Sequence, residues 1–166
     1  MNEPTSAPPP ICIWIDADAC PRSALRAARA VAAGRGIELI TVSTWRHELD
    51  TPGHIEVDAA PQATDLAILA RMSPGDVVIT QDYGLAALVL ARQGRALTPS
   101  GLLFTGDNID VLLAARADSA RLRQARRSRR QDVSGSRIKS AGPRTAADDR
   151  RFAQALAELL SGRAPL

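Results

Sequence analysis

The stretch ICIWIDADACPR, residues 11–22, joins a continuous apolar run to two carboxylates and a thiol. An uncharged run of this length, rich in Ile, is typical of a central strand that a parallel sheet covers on both faces. Asp16, Asp18 and Cys20 follow where this strand is predicted to end. Because an unpaired charge is expensive at such a partly buried position, we expect Asp16 to have a specific role. We interpret Cys20 as a small, half-buried structural residue.

Short apolar runs alternate with helical segments along the rest of the chain. IELITVS, HIEVDA and DVVIT predict strands because they are short and rich in β-branched residues. Segments with apolar residues at helical spacing follow and end at Gly or Pro. RALTP and GLLFT predict short strands or a hairpin, ahead of a long helix and a final amphipathic helix from Thr145. The alternation predicts an α/β fold with a mainly parallel central sheet and ligands at the carboxyl ends of its strands.

The length and composition indicate one domain. The chain has 166 residues, and we place the domain at residues 11–162. Residues 1–10 predict a disordered, Pro-rich tail, and the aperiodic residues 131–143 predict a mobile basic loop. The first residues lack the pattern of a signal peptide, no apolar run is long enough to span a bilayer, and two cysteines do not indicate a disulfide framework. We therefore expect a cytoplasmic protein with no membrane partner.

Charge is distributed unevenly along the chain. Residues 116–151 contain twelve Lys or Arg against four Asp or Glu, a net charge of +8, which leaves the rest at −5. A basic segment attracts polyanions through counterion release. We therefore predict that Arg126, Arg127, Arg129 and Arg130 bind a polyanion such as nucleic acid. The alternative interpretation is a solvated helix face, which is the more common role of an Arg-rich helix.

Aspartates follow several of the predicted strands. Asp16 and Asp18 follow the first strand, Asp82 follows DVVIT, Asp107 follows GLLFT, and Asp65 lies on the helix after HIEVDA. Since the carboxyl ends of parallel strands share one edge of the sheet, we expect these side chains to converge. Mg²⁺ or Mn²⁺ prefers carboxylate oxygens and would offset their mutual repulsion. Helix capping is the competing interpretation for Asp18, Asp82 and Asp107.

Four motifs occur in the order found in one bacterial family: IWIDADACP, VITQDYGLA, PSGLLFTGDNI and DDRRFAQAL. On these motifs the chain resembles, over residues 11–160, the YaiI/YqxD family, an uncharacterised group placed near the PIN-like nucleases. The resemblance implies a three-layer PIN-like fold with a C-terminal helical extension. The family pattern falls on Asp16, Asp18, Cys20, Pro21, Asp65, Thr80, Asp82, Leu85, Ala86, Pro99, Gly101, Asn108, Ile109, Gly142, Pro143, Thr145, Asp148 and Phe152. Gln62 stands where the family commonly has an acid, and Asp149 where Arg often follows.

The resemblance also implies a chemistry, because PIN-like nucleases hold Mg²⁺ or Mn²⁺ with acidic residues at strand ends. Asp16 and Asp82 are accordingly predicted to be catalytic metal ligands. Asp65, Asp107 and Asp18 are predicted to be auxiliary ligands or to position water. The resulting expectation is a metal-dependent nuclease that acts on RNA, with no other cofactor.

Two other functions fit parts of the sequence. A strand followed by D-x-D also begins haloacid-dehalogenase-like phosphohydrolases, in which Asp16 would be the nucleophile and Asp18 the acid and base. The usual cationic partner of that site is missing or an Arg, since the only lysine, Lys139, lies in the predicted loop. The other alternative is a non-catalytic RNA-binding module whose aspartates only cap helices.

Overall fold

The computed structural model describes residues 10–44, 52–129 and 143–162, with only the backbone for 119, 120 and 122–129. The predicted tail at 1–10 and loop at 131–143 lie outside the described residues, apart from one proline in each. The elements, in chain order, are β1 (Cys12–Asp16), α1 (Arg22–Arg35), β2 (Glu38–Thr44), β3 (His54–Val57), α2 (Ala63–Arg71), β4 (Val77–Ile79), α3 (Tyr83–Ala91), β5 (Arg95–Leu97), β6 (Leu103–Phe104), α4 (Gly106–Arg129) and α5 (Ala146–Leu160).

Within the described residues, the strands form one sheet in the order β3-β2-β1-β4-β5-β6. The first five strands are parallel, and β6 is antiparallel to β5. Because side chains alternate along a strand, Ile13 and Ile15 of β1 pack towards α1 and α5, whereas Trp14 packs towards α2, α3 and α4. The predicted α/β fold is confirmed, with three layers, a mainly parallel sheet and a C-terminal helix.

The hairpin of β5 and β6 determines the direction of α4. Since β6 runs back along β5, it returns the chain to the edge of the sheet where the parallel strands begin. Asn108, in the first turn of α4, donates from Nδ2 to the carbonyl oxygen of Leu103 at 2.9 Å. Two turns later, Arg116 contacts Asp82 at the opposite, carboxyl edge. The helix then continues to Arg129, about 20 Å farther at 1.5 Å per residue.

A buried aspartate joins the two central strands at the edge where they begin. The carboxylate of Asp76, just before β4, accepts hydrogen bonds from Cys12 N at 2.8 Å, Trp14 Nε1 at 2.9 Å and Ser73 N at 2.8 Å. These three N–H groups come from two separate parts of the chain, so the carboxylate ties the start of β1 to the loop before β4.

In the part of the chain that the structure describes, no helix has both the length and the apolar composition to cross a membrane.

Candidate functional site

The strand order of the sheet reverses between β1 and β4, because β2 and β3 lie on one side of β1 and β4 to β6 on the other. In open α/β sheets a crevice forms at this point, at the carboxyl ends of the strands, and ligands bind there. Asp16 is the last residue of β1, and Thr80 follows β4 directly. Thr80 Oγ1 donates a hydrogen bond to Asp16 Oδ2 at 3.1 Å. The acid that opens the sequence motif therefore lies at the reversal point.

Asp16 is a buried carboxyl group in an unfavourable electrostatic environment. Burial is the main reason that its pKa is raised to about 6, and the negative charges of Asp65 and Asp18 raise it further. The hydrogen bonds from Thr80 and from the backbone of Ala19 lower the pKa of Asp16 and offset only part of this increase. A positive charge close to Asp16 would favour the ionised form.

Asp18 connects three segments at the same edge of the sheet. Its carboxylate accepts from Thr44 N at 3.1 and 3.2 Å, from Thr44 Oγ1 at 3.4 Å and from Thr64 Oγ1 at 3.2 Å. These donors lie at the end of β2 and the start of α2. The N-cap of α1 is Pro21, and no side chain caps this helix. The capping interpretation of Asp18 is therefore wrong, because β2 and α2 supply the donors.

Asp82 caps α3, as the competing interpretation predicted. Its Oδ1 atom accepts from Gly84 N at 2.6 Å and Leu85 N at 3.3 Å, and it pairs with Arg116 Nη1 at 3.3 Å. The backbone N–H of Asp82 donates to Thr80 Oγ1 at 3.0 Å. Thr80 therefore connects Asp16 to Asp82 through one hydroxyl group. All described contacts of the Asp82 carboxylate use Oδ1, which leaves Oδ2 for another partner.

Asp65 lies in the first turn of α2 and is half-buried. Its carboxylate makes no hydrogen bond with the described residues. Burial raises the pKa of Asp65, and the charge of Asp82 raises it further. The charge of Asp65 also raises the pKa of Asp16. Asp65 therefore interacts electrostatically with both Asp16 and Asp82. Unlike Asp16, Asp18 and Asp82, Asp65 has carboxylate oxygens that accept no hydrogen bond from the described part of the chain.

The structure does not bring Asp107 to this group. The expectation that all five aspartates converge assumed parallel strands, but β6 is antiparallel and ends at the other edge. Asp107 lies nine residues before Arg116 on α4, about 13 Å away along the helix axis. Thr105 and Asn108 cap this helix through mutual hydrogen bonds between side chains and backbone at 3.0 and 3.3 Å. The capping interpretation of Asp107 is therefore also wrong.

The predicted RNA-binding arginines follow the same helix. Arg126, Arg127 and Arg129 lie on the last two turns of α4, where only the backbone is described. Arg130 lies outside the described residues. The backbone places the three described positions on the part of α4 that extends beyond Arg116 and the carboxyl edge. Their binding role stays a prediction.

We define the aspartate cluster as Asp16, Asp18, Asp65 and Asp82. Within the described ranges, no three His, Cys, Asp or Glu side chains lie close enough together to share one metal ion. Mg²⁺ often binds proteins through only one or two carboxylates, with waters and substrate phosphates as its other ligands. Asp16 and Asp65, with oxygen donors and raised pKa values, fit this limited requirement. They are therefore candidate ligands for a divalent ion.

Sequence reasoning missed the threonines that organise the aspartate cluster. Thr44, Thr64 and Thr80 donate hydroxyl hydrogens to Asp18 or Asp16. Thr80 occupied a position of the family pattern, which was the one available signal for it. Cys20 is half-buried, as predicted, and burial raises the pKa of its thiol to about 12. It is a neutral thiol at physiological pH, which supports its structural interpretation.

Comparisons with known proteins place the chain in a family. Residues 14–162 match the family model described as "Uncharacterized BCR, YaiI/YqxD family". A UPF0178 protein of Heliobacterium modesticaldum is 40% identical over 148 residues, which cover 89% of this chain and 95% of that protein. A UPF0178 protein of Exiguobacterium sibiricum is 40% identical over 151 residues, which cover 90% and 96%. No solved structure matches significantly. The chain belongs to the YaiI/YqxD family.

Proposed function

We propose that this protein is a nuclease that depends on Mg²⁺ or Mn²⁺ and acts on RNA. The observation that supports this most strongly is the environment of Asp16. It is a buried carboxyl at the reversal point of the sheet, and the neighbouring charges that raise its pKa are those of Asp65 and Asp18. Repulsion of this kind is relieved when a cation binds, and buried titratable groups perturbed in this way are concentrated at functional sites.

In this proposal, each aspartate of the cluster has a separate role. Asp16 and Asp65 hold the ion, and Asp18 fixes the loop after β1 against β2 and α2 through its threonine partners. Asp82 orients the attacking water through Oδ2, the oxygen that the helix cap leaves unused. When bound, the ion would polarise the phosphoryl group and lower the pKa of a bound water.

The surroundings of the aspartate cluster favour a phosphate-containing polymer. The helix α2 begins at this edge without a side-chain cap, and helix N-termini attract anions through their free N–H groups and dipoles. The α4 backbone extends past the same edge with its predicted RNA-binding arginines. These features support a long anionic substrate over a small phosphate ester.

The phosphohydrolase alternative requires Asp18 to exchange protons with the substrate. In the structure both oxygens of Asp18 accept hydrogen bonds from Thr44 or Thr64. These contacts hold the carboxylate of Asp18 against the end of β2 and the start of α2, where its oxygens are engaged by groups of the protein itself. We therefore favour the nuclease.

Single-stranded RNA cleavage with added Mn²⁺ tests the proposal. We expect Asp16→Asn to reduce the rate by at least about 100-fold, on the order of the loss of a catalytic group. We expect a smaller loss for Asp82→Asn, because Asp82 is not one of the two proposed ion ligands and Asn retains an oxygen that can cap α3. Asp110→Asn is the matched control, since this aspartate is exposed on α4.

Three results would contradict the proposal. Equal cleavage by all variants would place any activity elsewhere. Hydrolysis of a generic phosphate ester that Asp16→Asn abolishes, without RNA cleavage, would establish the phosphohydrolase. Salt-sensitive RNA binding that persists in EDTA, without cleavage, would indicate the binding module.

A further inference from the structure

A second concave site lies beside the aspartate cluster. It is a cleft of about 490 Å³, and its walls come from the start of α1, the loop between β4 and α3, the hairpin after β5 and the start of α5. The volume falls within the range of small-ligand sites, about 300–1,000 Å³. We call it the hairpin cleft, and its main lining residues are Pro21, Gln81, Tyr83, Ser100, Leu102 and Arg144.

The loop between β4 and α3 is shared by the hairpin cleft and the aspartate cluster. Asp82 belongs to the cluster and Thr80 contacts two of its members, whereas Gln81 and Tyr83 line the cleft. Consecutive Cα atoms are about 3.8 Å apart, so the two sites are direct neighbours. Gln81 also donates from Nε2 to the carbonyl oxygen of Ala19 at 2.5 Å, which joins this loop to the one that follows Asp16.

The walls of the hairpin cleft favour a flat, partly apolar group. Tyr83 is fixed by an edge-to-face contact with Phe104, with ring centroids 5.4 Å apart and planes at 66°. The guanidinium of Arg116 lies 5.6 Å from the centroid of the Tyr83 ring. Pro21 and Leu102 contribute apolar surface. Aromatic rings of this kind are the usual platform on which proteins stack bases of single-stranded nucleic acids.

The charges of the cleft argue against a phosphate inside it. Arg144 is paired with Asp149, with Nε 2.5 Å from Oδ1, and Asp148 is paired with Arg151. The charged side chains of the wall are therefore already neutralised. Two polar groups remain for a ligand. The Ser100 hydroxyl shares one hydrogen bond with Thr98 Oγ1 at 2.7 Å and can form another. The Nη2 atom of the Arg144 guanidinium is buried in the wall without a partner among the described residues.

We propose that the hairpin cleft binds one nucleobase of the RNA strand, stacked on Tyr83, while the adjoining phosphate lies at the aspartate cluster. This inference rests on the proposed nuclease function for the identity of the strand. The binding of a base itself requires neither the metal nor cleavage. Ser100 and Gln81 contact the polar edge of the base and position the strand.

The test is binding of adenosine 5′-monophosphate and of ribose 5-phosphate, measured by NMR titration in EDTA. We expect the nucleotide to shift resonances of the hairpin cleft and to bind more tightly than the sugar phosphate. Tyr83→Ala should weaken nucleotide binding about tenfold or more, since stacking contributes about 1–3 kcal/mol per base. Ser100→Trp should weaken it similarly by filling the cleft from an exposed position, without disturbing the core.

Matched variants separate stacking from structural damage. Tyr83→Phe retains the ring and should bind like the wild type, and so should Leu88→Ala, which truncates an exposed residue of the same helix. No binding by the wild type, equal binding by Tyr83→Ala and Ser100→Trp, or equal affinity for the sugar phosphate would overturn the base assignment. If binding behaves as expected but RNA is never cleaved, the cleft assignment stands and the nuclease proposal falls.

Discussion

Two buried aspartates occupy opposite ends of the same pair of strands, β1 and β4. Asp76 is 3% exposed and Asp16 is 6% exposed, so burial alone does not distinguish them. The Asp76 carboxylate accepts three N–H hydrogen bonds. It also interacts with Arg95: burial lowers the pKa of Arg95, and the charge of Asp76 offsets part of this decrease. Asp16 receives hydrogen bonds from Thr80 and Ala19, and its charged neighbours are carboxylates.

The difference separates a structural charge, Asp76, from the charge that we propose to be functional, Asp16. Buried charges are tolerated when hydrogen bonds and opposite charges compensate for lost hydration. At the start of the two strands, Asp76 has three N–H donors and the positive charge of Arg95. At their carboxyl ends, Asp16 has fewer donors, and the charges that act on it are negative. The proposed metal site follows from this contrast, because a cation bound beside Asp16 would supply the missing compensation. Four substitutions test this contrast.

The largest effect is expected at Asp76. Asp76→Ala leaves the N–H groups of Cys12, Trp14 and Ser73 without their acceptor, and each buried unsatisfied group costs about 1–3 kcal/mol. We expect the free energy of unfolding to fall by roughly 4 kcal/mol, measured by urea denaturation. Asp110→Ala, at an exposed position, should change it by less than about 0.5 kcal/mol. A similarly small change for Asp76→Ala would contradict the structural role of Asp76.

Asp16→Asn should raise the free energy of unfolding, whereas Asp76→Ala lowers it. Because folding raises the pKa of Asp16 from 3.8 to about 6, the folded state binds more protons than the unfolded state between these values. Stability therefore falls as the pH rises from about 4 to 6, and the asparagine variant avoids this loss. We expect it to be about 2–3 kcal/mol more stable than the wild type at pH 8 and equal to it near pH 3. Urea titrations at the two pH values measure this, and a variant less stable at pH 8 would contradict it.

Thr80→Val should sharpen the electrostatic part of the account. It removes the hydroxyl that donates to Asp16 and accepts from Asp82 N, so the pKa of Asp16 should rise further and stability should fall by about 1–2 kcal/mol. The pH profile of RNA cleavage should move to higher pH, since ionised Asp16 is required. Thr80→Ser keeps the hydroxyl and should keep the profile. An unmoved profile in Thr80→Val would disconnect this hydroxyl from the site.

The smallest effect is expected at Arg116. Its ion pair with Asp82 is solvent-exposed, with 51% and 41% of the two side chains accessible, and exposed pairs contribute little. We expect Arg116→Ala to lower the free energy of unfolding by less than about 1 kcal/mol, even with the loss of its contact to the Tyr83 ring. Thermal melting at low and high salt measures the total loss and the share of it that comes from the salt-sensitive ion pair. A loss comparable to that of Asp76→Ala would mean that this pair is structural.

The sequence predicted the architecture because that information is local. The continuous apolar character of β1 indicated a central strand, and the alternation of runs indicated a parallel sheet, as the structure confirms. The direction of β6 was not determined, since RALTP and GLLFT fitted either two strands or a hairpin. The placement of Asp107 depended on that direction and differs from the expectation.

The site was less predictable because its chemistry depends on contacts between distant segments. Asp16 was identified by its position after β1, but its environment depends on Asp65, 49 positions away in the chain. Nothing local distinguished Asp18, engaged by Thr44 and Thr64, from Asp65, whose oxygens are free of described hydrogen bonds. The role of Asp76 was missed for the same reason, since two of its three donors lie more than 60 residues away.

The most direct test of the central claim is Mn²⁺ binding, measured by electron paramagnetic resonance at pH 7.5. We predict that the wild type binds Mn²⁺, and that Asp16→Asn and Asp65→Asn each weaken binding at least about tenfold, because each removes an anionic oxygen ligand. Asp110→Asn, with its exposed side chain, should bind like the wild type. Equal Mn²⁺ affinity in Asp16→Asn, Asp65→Asn and the wild type would contradict the assignment of a metal site to the aspartate cluster.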